Sequence, residues 1–387
     1  MNNNKNVDVI IIGNDHSNTL GVIRTFGENK ISPYVYVISD NFNVSISKSK
    51  YIKNIKIFND EEIAIAEILK DFKDKHVKSF LIPTSDKAAV TIDRYYNKLS
   101  NYFFTQNINN KENMLDKYMD KFNQYKIAKK HGIKVAKSSY IQKPFDISYI
   151  KKEFNYPIII KPLLSIDGKK EDIQVVNNEI QLNNVLNFYN INEYNRLLIQ
   201  EFLEFDYECD MSGYCYDKKV CIAGFIRKIR IWPPKKGSLT FGKVEKYNKF
   251  KNMLDKLKEI FIELNYCGMF DVEFFVKGNN IFLNEINFRN SGLTYLYENS
   301  YLCYYYYISC INEKYIEAPS ILEEYYVMDE QAELHQIIDK NINIFRHIKD
   351  KRKSKILLVS NSNDQKPARA MLIKKIKRNL RRKNANR

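Results

Sequence analysis

One segment, Asp271 to Asn287 (DVEFFVKGNNIFLNEIN), constrains the fold more than any other because its pattern is that of a β-hairpin. Two strand-like runs flank the turn-rich KGNN, whose Asn and Gly tolerate the left-handed backbone of a tight loop. Residues two apart on a strand share one face of the sheet. With residues 278–280 as the loop, Glu273 is predicted to lie opposite Glu285, and Asp271 opposite Asn287.

These facing side chains indicate a cation site. Side chains directly opposite in an antiparallel pair lie roughly 5 Å apart, and like charges there are destabilising. Two carboxylates and an amide oxygen form an oxygen-only ligand set, which suits Mg²⁺ and its common position between protein carboxylates and substrate phosphates. The spacing alone fits an acidic face exposed to solvent equally well.

The net charge of +16 is concentrated at the C-terminal end of the 387-residue chain. Residues 346–387 carry 16 Lys and Arg against only Asp350 and Asp364, so the preceding residues are nearly neutral. The basicity therefore belongs to a tail, and a nucleic-acid-binding body is not indicated. The six cysteines show neither a CxxC pair nor a zinc spacing, which favours a reduced, cytoplasmic protein. The N-terminal apolar run is too short for a signal peptide.

The first 112 residues predict an open α/β domain, because strand-like apolar runs alternate with helix-like segments. Ligands of such sheets bind beyond the carboxyl ends of the strands. Asn14, Asp15 and Asp86 follow predicted strands, although capping of the next helix is the favoured role for each. The predicted strands span residues 7–13, 34–39, 80–85 and 102–106.

Several charged residues elsewhere are candidates for binding anions. Lys161 ends the apolar run YPIIIKP, where it either contacts a phosphate or extends to solvent. Lys121 lies on a Lys-rich predicted helix and would alone be read as a solvated residue. Arg227, Arg230 and Arg289 are candidate anion forks, because Arg binds phosphate and carboxylate through two hydrogen bonds.

Taken in order, these segments resemble the ATP-grasp superfamily, and within it the carboxylate–amine ligases. DKFNQYKIAKKHGIKVAKS is similar to the segment whose early Lys, here Lys121, contacts ATP phosphate. IIIKP is similar to the strand with the second phosphate-binding Lys, here Lys161. LIQEFLEFDYE resembles the hinge strand, which implies that Gln200 and Glu201 hold adenine and that Glu208 contacts ribose.

The predicted hairpin resembles the family's metal motif. DVEFF and FLNEINFRNSG imply Glu273, Glu285 and Asn287 as ligands of Mg²⁺ or Mn²⁺. Arg289 corresponds to the Arg that steadies phosphate or the acyl intermediate, and Arg230 is a second candidate catalytic residue. The family's usual NPR is NFR here, which keeps both polar residues and loses the proline.

The resemblance implies an N-terminal α/β domain followed by a two-lobed ATP-grasp fold. The small lobe includes a loop, Ser165–Lys170, that would close over the site as a lid. A looser similarity points to D-aspartate-ligase-like enzymes of cell-envelope synthesis. The predicted domains are residues 1–112 (N-terminal α/β), 113–190 (small lobe), 191–325 (large lobe with the Mg-ATP site) and 326–387 (basic extension).

The implied activity is ATP-dependent ligation of a small-molecule carboxylate to an amine. The carboxylate attacks the γ-phosphorus of ATP to give an acyl phosphate, and the amine then displaces phosphate to form an amide-like bond. An amino acid or an envelope or surface-polysaccharide precursor is the expected kind of substrate. Self-association as a homodimer is left open.

The C-terminal segment ARAMLIKKIKRNLRRK predicts a basic amphipathic helix, because Ala368, Leu372, Ile376 and Leu380 recur at four-residue spacing. Residues 366–383 could lie on the inner face of an anionic membrane, or pack their stripe on the body; nucleic acid is the least favoured partner. The rival function is a non-catalytic nucleotide-binding protein that acts through this tail at a membrane or nucleic acid.

Overall fold

The structure, a computed structural model, describes residues 7–163, 172–192, 194–234, 237–246 and 250–385, with the backbone alone for 378–385. The loop predicted to form a lid, Ser165–Lys170, lies outside the described residues. None of the helices in the described part of the chain is long and apolar enough to cross a membrane.

The N-terminal domain is an open α/β unit with a five-stranded parallel sheet in the order β3-β2-β1-β4-β5. The predicted fold class is therefore confirmed. The sequence reading missed β3, an edge strand whose polar residues alternate with Ile55 and Ile57. The elements are β1 (Val9–Asn14), α1 (Ser17–Glu28), β2 (Tyr34–Ile38), β3 (Asn54–Phe58), α2 (Glu61–Phe72), β4 (Ser79–Pro83), α3 (Asp86–Arg94), α4 (Tyr96–Leu99) and β5 (Phe103–Phe104), with a 3₁₀ turn at Ile46–Lys48.

A connecting segment follows, and its helix differs from the sequence prediction. The residue pattern predicts one helix from about Met114 to His131, ending before Gly132, but the helix is interrupted at Asp120, whose backbone is extended. The Asp120 carboxylate accepts hydrogen bonds from the N–H groups of Phe122 and Asn123 and so caps the second helix. Lys121 consequently begins that helix. The elements are β6 (Asn107–Ile108), α5 (Leu115–Met119), α6 (Lys121–Lys130) and β7 (Lys134–Val135).

The small lobe is a four-stranded sheet in the order β10-β9-β11-β8, covered by two helices. Strand β11 (Arg196–Glu201), the last of the four along the chain, pairs with both β8 and β9, so it belongs to the small lobe. The predicted lobe boundary at residues 190 and 191 therefore moves to the end of that strand. The elements are β8 (Ser138–Gln142), α7 (Ile147–Glu153), β9 (Ile158–Pro162), β10 (Gln174–Val176), α8 (Glu179–Ile191) and β11 (Arg196–Glu201).

The large lobe is built on a mostly antiparallel sheet whose long central strands carry the predicted hairpin. Its core packs the sheet against a helix with buried Leu257, Ile260 and Phe261. The elements are β12 (Tyr207–Tyr216), β13 (Lys219–Ile222), β14 (Phe225–Trp232), β15 (Ser238–Glu245), α9 (Lys251–Glu263), β16 (Tyr266–Lys277), β17 (Asn280–Asn287) and α10 (Leu302–Ile311), with a 3₁₀ turn at Gly292–Leu296.

The hairpin has the predicted register at its acidic end. Glu273 pairs with Glu285, and Asp271 pairs with Asn287. The loop contains two residues and not the three predicted, since Lys277 pairs with Asn280. A one-residue bulge at Asn284 restores the register.

The C-terminal residues continue the large-lobe sheet and bind the N-terminal domain, so they are not a separate element as the composition had suggested. β18 pairs with β15, and β19 pairs with β18. The fully buried guanidinium of Arg24 donates to Asp364 Oδ2 (3.1 Å) and to the carbonyl oxygens of Val359 and Asp364 (2.8 Å each). The elements are β18 (Tyr325–Met328), α11 (Glu330–Ile338), α12 (Ile344–Lys353), β19 (Ser354–Leu357) and α13 (Gln365–Ala385).

The predicted amphipathic helix is α13, and its apolar stripe divides between two environments. Ala368 and Met371 pack against the core shared with the N-terminal domain. Leu372 and Ile376 line an apolar groove with residues of α11 and α12, and both remain partly exposed. Packing on the body therefore accounts for only part of the stripe.

Candidate functional site

A row of three carboxylates crosses the central strands of the large-lobe sheet. Asp210 on β12 pairs with Glu273 on β16, which in turn pairs with Glu285 on β17. Asp210 is buried, while the side chains of Glu273 and Glu285 are 29% and 18% exposed. Facing like charges repel each other, so this row requires cations around it.

A second row lies two residues further along the same strands and carries Ser212, Asp271 and Asn287. Ser212 Oγ donates to Asp271 Oδ1 over 2.7 Å. Burial and the nearby Glu273 raise the pKa of Asp271 to about 6. Asp271 is thus held by its neighbour on β12, while the Asn287 amide lies beside the carboxylate row and supplies a neutral oxygen.

Two lysines lie near the carboxylate row, Lys121 at the start of α6 and Lys161 on β9 of the small lobe. Lys121 Nζ lies 3.1 Å from Glu285 Oε1. The buried Lys161 on β9 donates to Gln200 Oε1 over 3.3 Å. Burial lowers the pKa of Lys161, while Glu285 and Glu273 oppose that shift. The two lysines and the two carboxylates therefore share one electrostatic environment.

Helix α6 fixes this arrangement by docking on β17. Gln124 Nε2 donates to the Ile286 carbonyl (2.7 Å), and Gln124 Oε1 accepts from the Ile286 N–H (2.8 Å). The Tyr125 hydroxyl donates to the Asn284 carbonyl (2.8 Å). These bonds engage backbone groups of the hairpin strand on either side of Glu285, which explains why the first residue of α6 reaches its carboxylate.

A third lysine, Lys228 on β14, lies among buried acids at the other end of the row. Its ammonium forms an ion pair with Glu208 and lies 2.9 Å from Asp210 Oδ1 and 3.8 Å from Glu273 Oε2. Burial alone would lower the pKa of Lys228, but these three carboxylates together hold it well above its usual value. Glu208, the predicted ribose contact, is therefore held by an ammonium group.

The remaining hinge residues occupy the end of β11. Gln200 is buried and accepts the hydrogen bond from Lys161. The Glu201 carboxylate accepts from the Lys137 N–H (2.8 Å), and the Glu201 N–H donates to the Lys137 carbonyl (2.9 Å). Glu201 thus anchors the start of the short connection between the lobes.

Arg289 joins the hairpin to the N-terminal domain. Its Nε donates to Asp86 Oδ1 over 2.8 Å at the start of α3. Nearby, Asn18 and Asn290 bond each other through side-chain and backbone groups at 2.5 and 2.7 Å. The carboxyl ends of β1 and β4 therefore face the segment that follows the hairpin, at the edge where open α/β sheets commonly bind ligands.

Arg230 does not lie with the other predicted site residues. Its guanidinium pairs with Glu333 and Asp350 of the C-terminal helices and lies over the ring of Phe241. A one-residue bulge between Lys228 and Arg230 shifts the pairing of β14. The two side chains therefore contact different groups, Lys228 the acids of β12 and Arg230 those of the C-terminal helices. The structure therefore assigns Arg230 a contact with the C-terminal region.

The donor set at the hairpin fits a hard divalent cation. Glu273, Glu285 and Asn287 offer oxygen atoms from adjacent strands, and Mg²⁺ prefers oxygen ligands. The sequence reading missed Asp210, Lys228 and the role of Asp86. Alternation on β12 does place Glu208 and Asp210 on one face, but only the pairing with β14 brings Lys228 to them. The caps of α1 and α3 are His16 and Ser85, so Asp15 and Asp86 are not helix caps.

Comparison with known proteins identifies the domain around this site. Residues 126–299 match the ATP-grasp domain family. The formate-dependent phosphoribosylglycinamide formyltransferase of Prochlorococcus marinus (strain NATL1A) is 24% identical over 275 residues, which are 67% of this chain and 62% of that protein. The carbamoyl phosphate synthase large chain of Helicobacter pylori (strain 26695) is 27% identical over 167 residues, 42% of this chain and 15% of that protein. The chain thus spans about three fifths of the formyltransferase.

Solved structures share the architecture. N5-carboxyaminoimidazole synthetase from Staphylococcus aureus complexed with ADP aligns with a TM-score of 0.65 at 16% identity, covering 88% of both chains. L-amino acid ligase from Bacillus licheniformis aligns with a TM-score of 0.53 at 10% identity, covering 73% of this chain and 67% of that one. These likenesses confirm the predicted fold, and the match over residues 126–299 shows that this part of the chain is an ATP-grasp domain.

Proposed function

We propose that this protein is an ATP-dependent carboxylate–amine ligase that forms an amide-like bond through an acyl phosphate. The observation that carries the proposal is the convergence of Lys121 and Lys161 on Glu273 and Glu285, beside Asn287. A cationic side chain from the connecting helix α6, another from the small lobe, and an oxygen ligand set from the large lobe suit a nucleoside triphosphate with its divalent cation.

In this proposal each part of the site has a separate task. Glu273, Glu285 and Asn287 hold Mg²⁺ or Mn²⁺, which offsets charge on the ATP phosphates. Lys121 and Lys161 bind phosphate oxygens. When nucleotide binds, the Lys121–Glu285 ion pair is exchanged for contacts of each partner with the bound ligand.

The connection between the lobes receives the nucleoside. The chain around Gln200 and Glu201 holds adenine, and Glu208 accepts a hydrogen bond from ribose. Glu208 is already fixed by Lys228, so little side-chain freedom is lost when the sugar binds.

The reaction that this arrangement supports has two steps. A substrate carboxylate oxygen bonds to the γ-phosphorus while the bond to the β,γ-bridging oxygen breaks, and ADP leaves. The amine nitrogen then bonds to the carbonyl carbon, phosphate leaves, and the nitrogen gives up a proton. Lys161 and Arg289 stabilise the negative charge that moves across the phosphoryl group. The acyl phosphate reacts readily with water, so a lid that excludes water from the site would protect it.

The carboxylate and the amine are proposed to bind between the hairpin and the carboxyl ends of β1 and β4. Arg289 and Asp86 line this junction as an ion pair, and Asn18 and Asn290 close it nearby. By their names, the matched relatives depend on formate, synthesise N5-carboxyaminoimidazole and ligate L-amino acids. Small carboxylates, amino acids and envelope precursors therefore make up the panel to test.

The experiment measures the ADP that the protein releases from ATP in the presence of this panel. Carboxylates and amines are supplied singly and in pairs. Carboxylate-dependent ADP formation, with product formed only when an amine is present, is the expected result. Nucleotide binding without ADP formation across the panel would instead favour the rival, a non-catalytic nucleotide-binding protein.

We further propose that the C-terminal helices contact an anionic membrane surface, because of how their charges and apolar side chains are distributed. The two acids of residues 346–387 are buried: Asp350 pairs with Arg230 and Arg346, and Asp364 pairs with Arg24. The basic residues thus dominate the exposed charge. Exposed apolar side chains accompany them, namely Ile338, Ile344, Phe345, Ile348, Leu372, Ile373 and Ile376.

A bilayer of anionic lipid complements both the positive charge and the exposed apolar side chains of the C-terminal helices. Each Lys or Arg near such a surface contributes about 1 kcal/mol, and apolar side chains insert between headgroups. A second copy of the chain would bring like charges together on the same face. This contact would place a cytoplasmic enzyme at the inner face of the membrane.

A further inference from the structure

Lys228 occupies a position among carboxylates that resembles that of a bound cation. Its ammonium contacts Glu208, lies 2.9 Å from Asp210 Oδ1 and 3.8 Å from Glu273 Oε2, and its side chain is only 4% exposed. One oxygen from each of the three acids lies within 4.8 Å of the others, a separation at which they could ligate one ion. Lys228 thus lies where such an ion would sit.

The acids cannot all stay ionised in these positions without a positive charge among them. Asp210 and Glu273 are directly paired across β12 and β16, and Glu208 is on the same face of β12 as Asp210. Burying a carboxylate without a counter-charge costs several kcal/mol, and repulsion between neighbouring carboxylates adds to this. The ammonium donates a hydrogen bond to Glu208 and offsets the charge of Asp210 and Glu273 by its proximity.

Two of the three acids also have tasks in the proposed ligase site. Glu208 is the proposed ribose contact, and Glu273 is a proposed metal ligand that pairs with Glu285. Lys228 lies on β14, where it is directly paired with Glu208, and its ammonium lies 3.8 Å from Glu273 Oε2. A single ammonium therefore links the part of the site that binds the nucleoside to the part that binds the metal.

We propose that Lys228 is a positioning residue that takes the place of a cation between Glu208, Asp210 and Glu273 and thereby orients Glu208 toward ribose and Glu273 toward the catalytic metal. The orienting role rests on the proposed function, whereas the cation-replacing role does not. A consequence is that removing the Lys228 side chain uncovers a second divalent-cation site, which the wild-type protein does not need.

Two substitutions distinguish the effect of removing the charge of Lys228 from the effect of removing its side-chain volume. Lys228→Ala removes the ammonium and leaves a polar cavity, because the removed side chain is larger than the roughly 30 Å³ that a water molecule occupies. Lys228→Met removes the charge but fills the space with an apolar chain of similar length. Only the alanine variant has both room and ligands for an ion.

The direct measurement is the number of Mn²⁺ ions bound without nucleotide, followed by the electron paramagnetic resonance of free Mn²⁺. Lys228→Ala is expected to bind one Mn²⁺ more than the wild type and one more than Lys228→Met. The double variant Lys228→Ala/Asp210→Asn, which lacks a ligand, should lose the additional ion. The same number of ions in all four proteins would overturn the proposal.

Thermal unfolding gives a second readout if the alanine variant is unstable in EDTA. Mn²⁺ is expected to raise the Tm of Lys228→Ala more than that of Lys228→Met, since only the former gains a ligand of its folded state. An alanine variant that remains unfolded with Mn²⁺, or that gains no more Tm than the methionine variant, would contradict the proposal.

Kinetics test the orienting role separately. We expect both variants to raise the KM for ATP about tenfold or more, with Mn²⁺ restoring the alanine variant alone. An unchanged KM in both variants would overturn the orienting role. Should the wild type form no ADP with any substrate, the ligase proposal fails, while the Mn²⁺ count still decides whether Lys228 replaces a cation.

Discussion

The ammonium of Lys121 lies 3.1 Å from a carboxylate oxygen of Glu285, which joins the start of α6 to the hairpin. The pair forms because Asp120 breaks the preceding helix and caps the next one. It brings a candidate phosphate ligand and a candidate metal ligand together, and each offsets the charge of the other.

Replacing the lysines should weaken binding of the phosphates and spare binding of the nucleoside. Hydrogen bonds to charged groups contribute about 1.5–3 kcal/mol, so Lys121→Met and Lys161→Met should each weaken ATP-analogue binding about 10- to 150-fold. Adenosine affinity should not change. Calorimetry measures both, with Lys152→Met, on the exposed face of the small lobe, as the control. Equal losses for adenosine and the ATP analogue would refute a phosphate contact.

The buried pair of Arg24 and Asp364 should control stability and not catalysis. Arg24→Met leaves the Asp364 carboxylate buried without its counter-charge, which costs about 3–5 kcal/mol in the free energy of unfolding. Arg346→Met, at a pair whose Arg is 54% exposed, should cost less than about 1 kcal/mol. Urea unfolding compares the two, and similar costs would show that the C-terminal region is not held by this pair.

The buried carboxyl of Asp93 should make stability depend on pH. Burial raises its pKa to about 6, while the unfolded value is about 3.9, so the folded protein binds more protons between these values. Its contribution to stability is therefore present at low pH and is lost as pH rises from about 4 to about 6, by about 2–3 kcal/mol.

Asp93→Asn keeps the acceptor for the Leu115 N–H and removes the charge. Urea unfolding at pH 5 and pH 7.5 should show a smaller difference for this variant than for the wild type. Asp74→Asn, at an exposed aspartate, serves as the control and should leave the difference unchanged. A variant with the wild-type pH dependence would exclude Asp93 as its source.

The C-terminal surface should bind vesicles in proportion to their negative charge. The wild type should sediment with vesicles of phosphatidylcholine and phosphatidylglycerol but not with phosphatidylcholine alone. Phe345→Ser/Ile373→Ser should reduce binding, because these exposed side chains supply apolar area for insertion. Ile180→Ser, at an exposed apolar residue of the small lobe, is the matched control. Equal sedimentation with neutral vesicles would contradict the electrostatic contact.

The pairing of Glu273 with Glu285 and of Asp271 with Asn287 was predictable, because alternate residues of a strand share one face of the sheet. The predicted three-residue loop was wrong. The bulge at Asn284 compensated for the shorter loop, and such compensation leaves no mark in the residue pattern. The open α/β domain was predictable because β1, β2 and β4 are nearly continuous apolar runs, whereas the alternating edge strand β3 was missed.

Contacts between distant segments were not predictable. Lys228 reaches Glu208 through the pairing of β12 with β14, and Arg289 reaches Asp86 through the packing of two domains. The sequence indicated Arg230 as catalytic because Arg suits phosphate, yet a bulge directs it to the C-terminal helices. In each case the partner depends on long-range register, which local spacing does not encode.

In the proposed reaction, ATP is cleaved at the Glu285 hairpin by attack of a carboxylate. The most direct measurement uses ¹⁸O-labelled carboxylates with an amine and follows both ADP and the ¹⁸O content of the released phosphate. We expect ¹⁸O in the phosphate, and a loss of ADP formation of about 100-fold or more in Glu285→Gln. Its fold should be retained, because the relieved repulsion from Glu273 offsets the lost ion pair with Lys121. Unlabelled phosphate, or full turnover by Glu285→Gln, would contradict the proposed reaction.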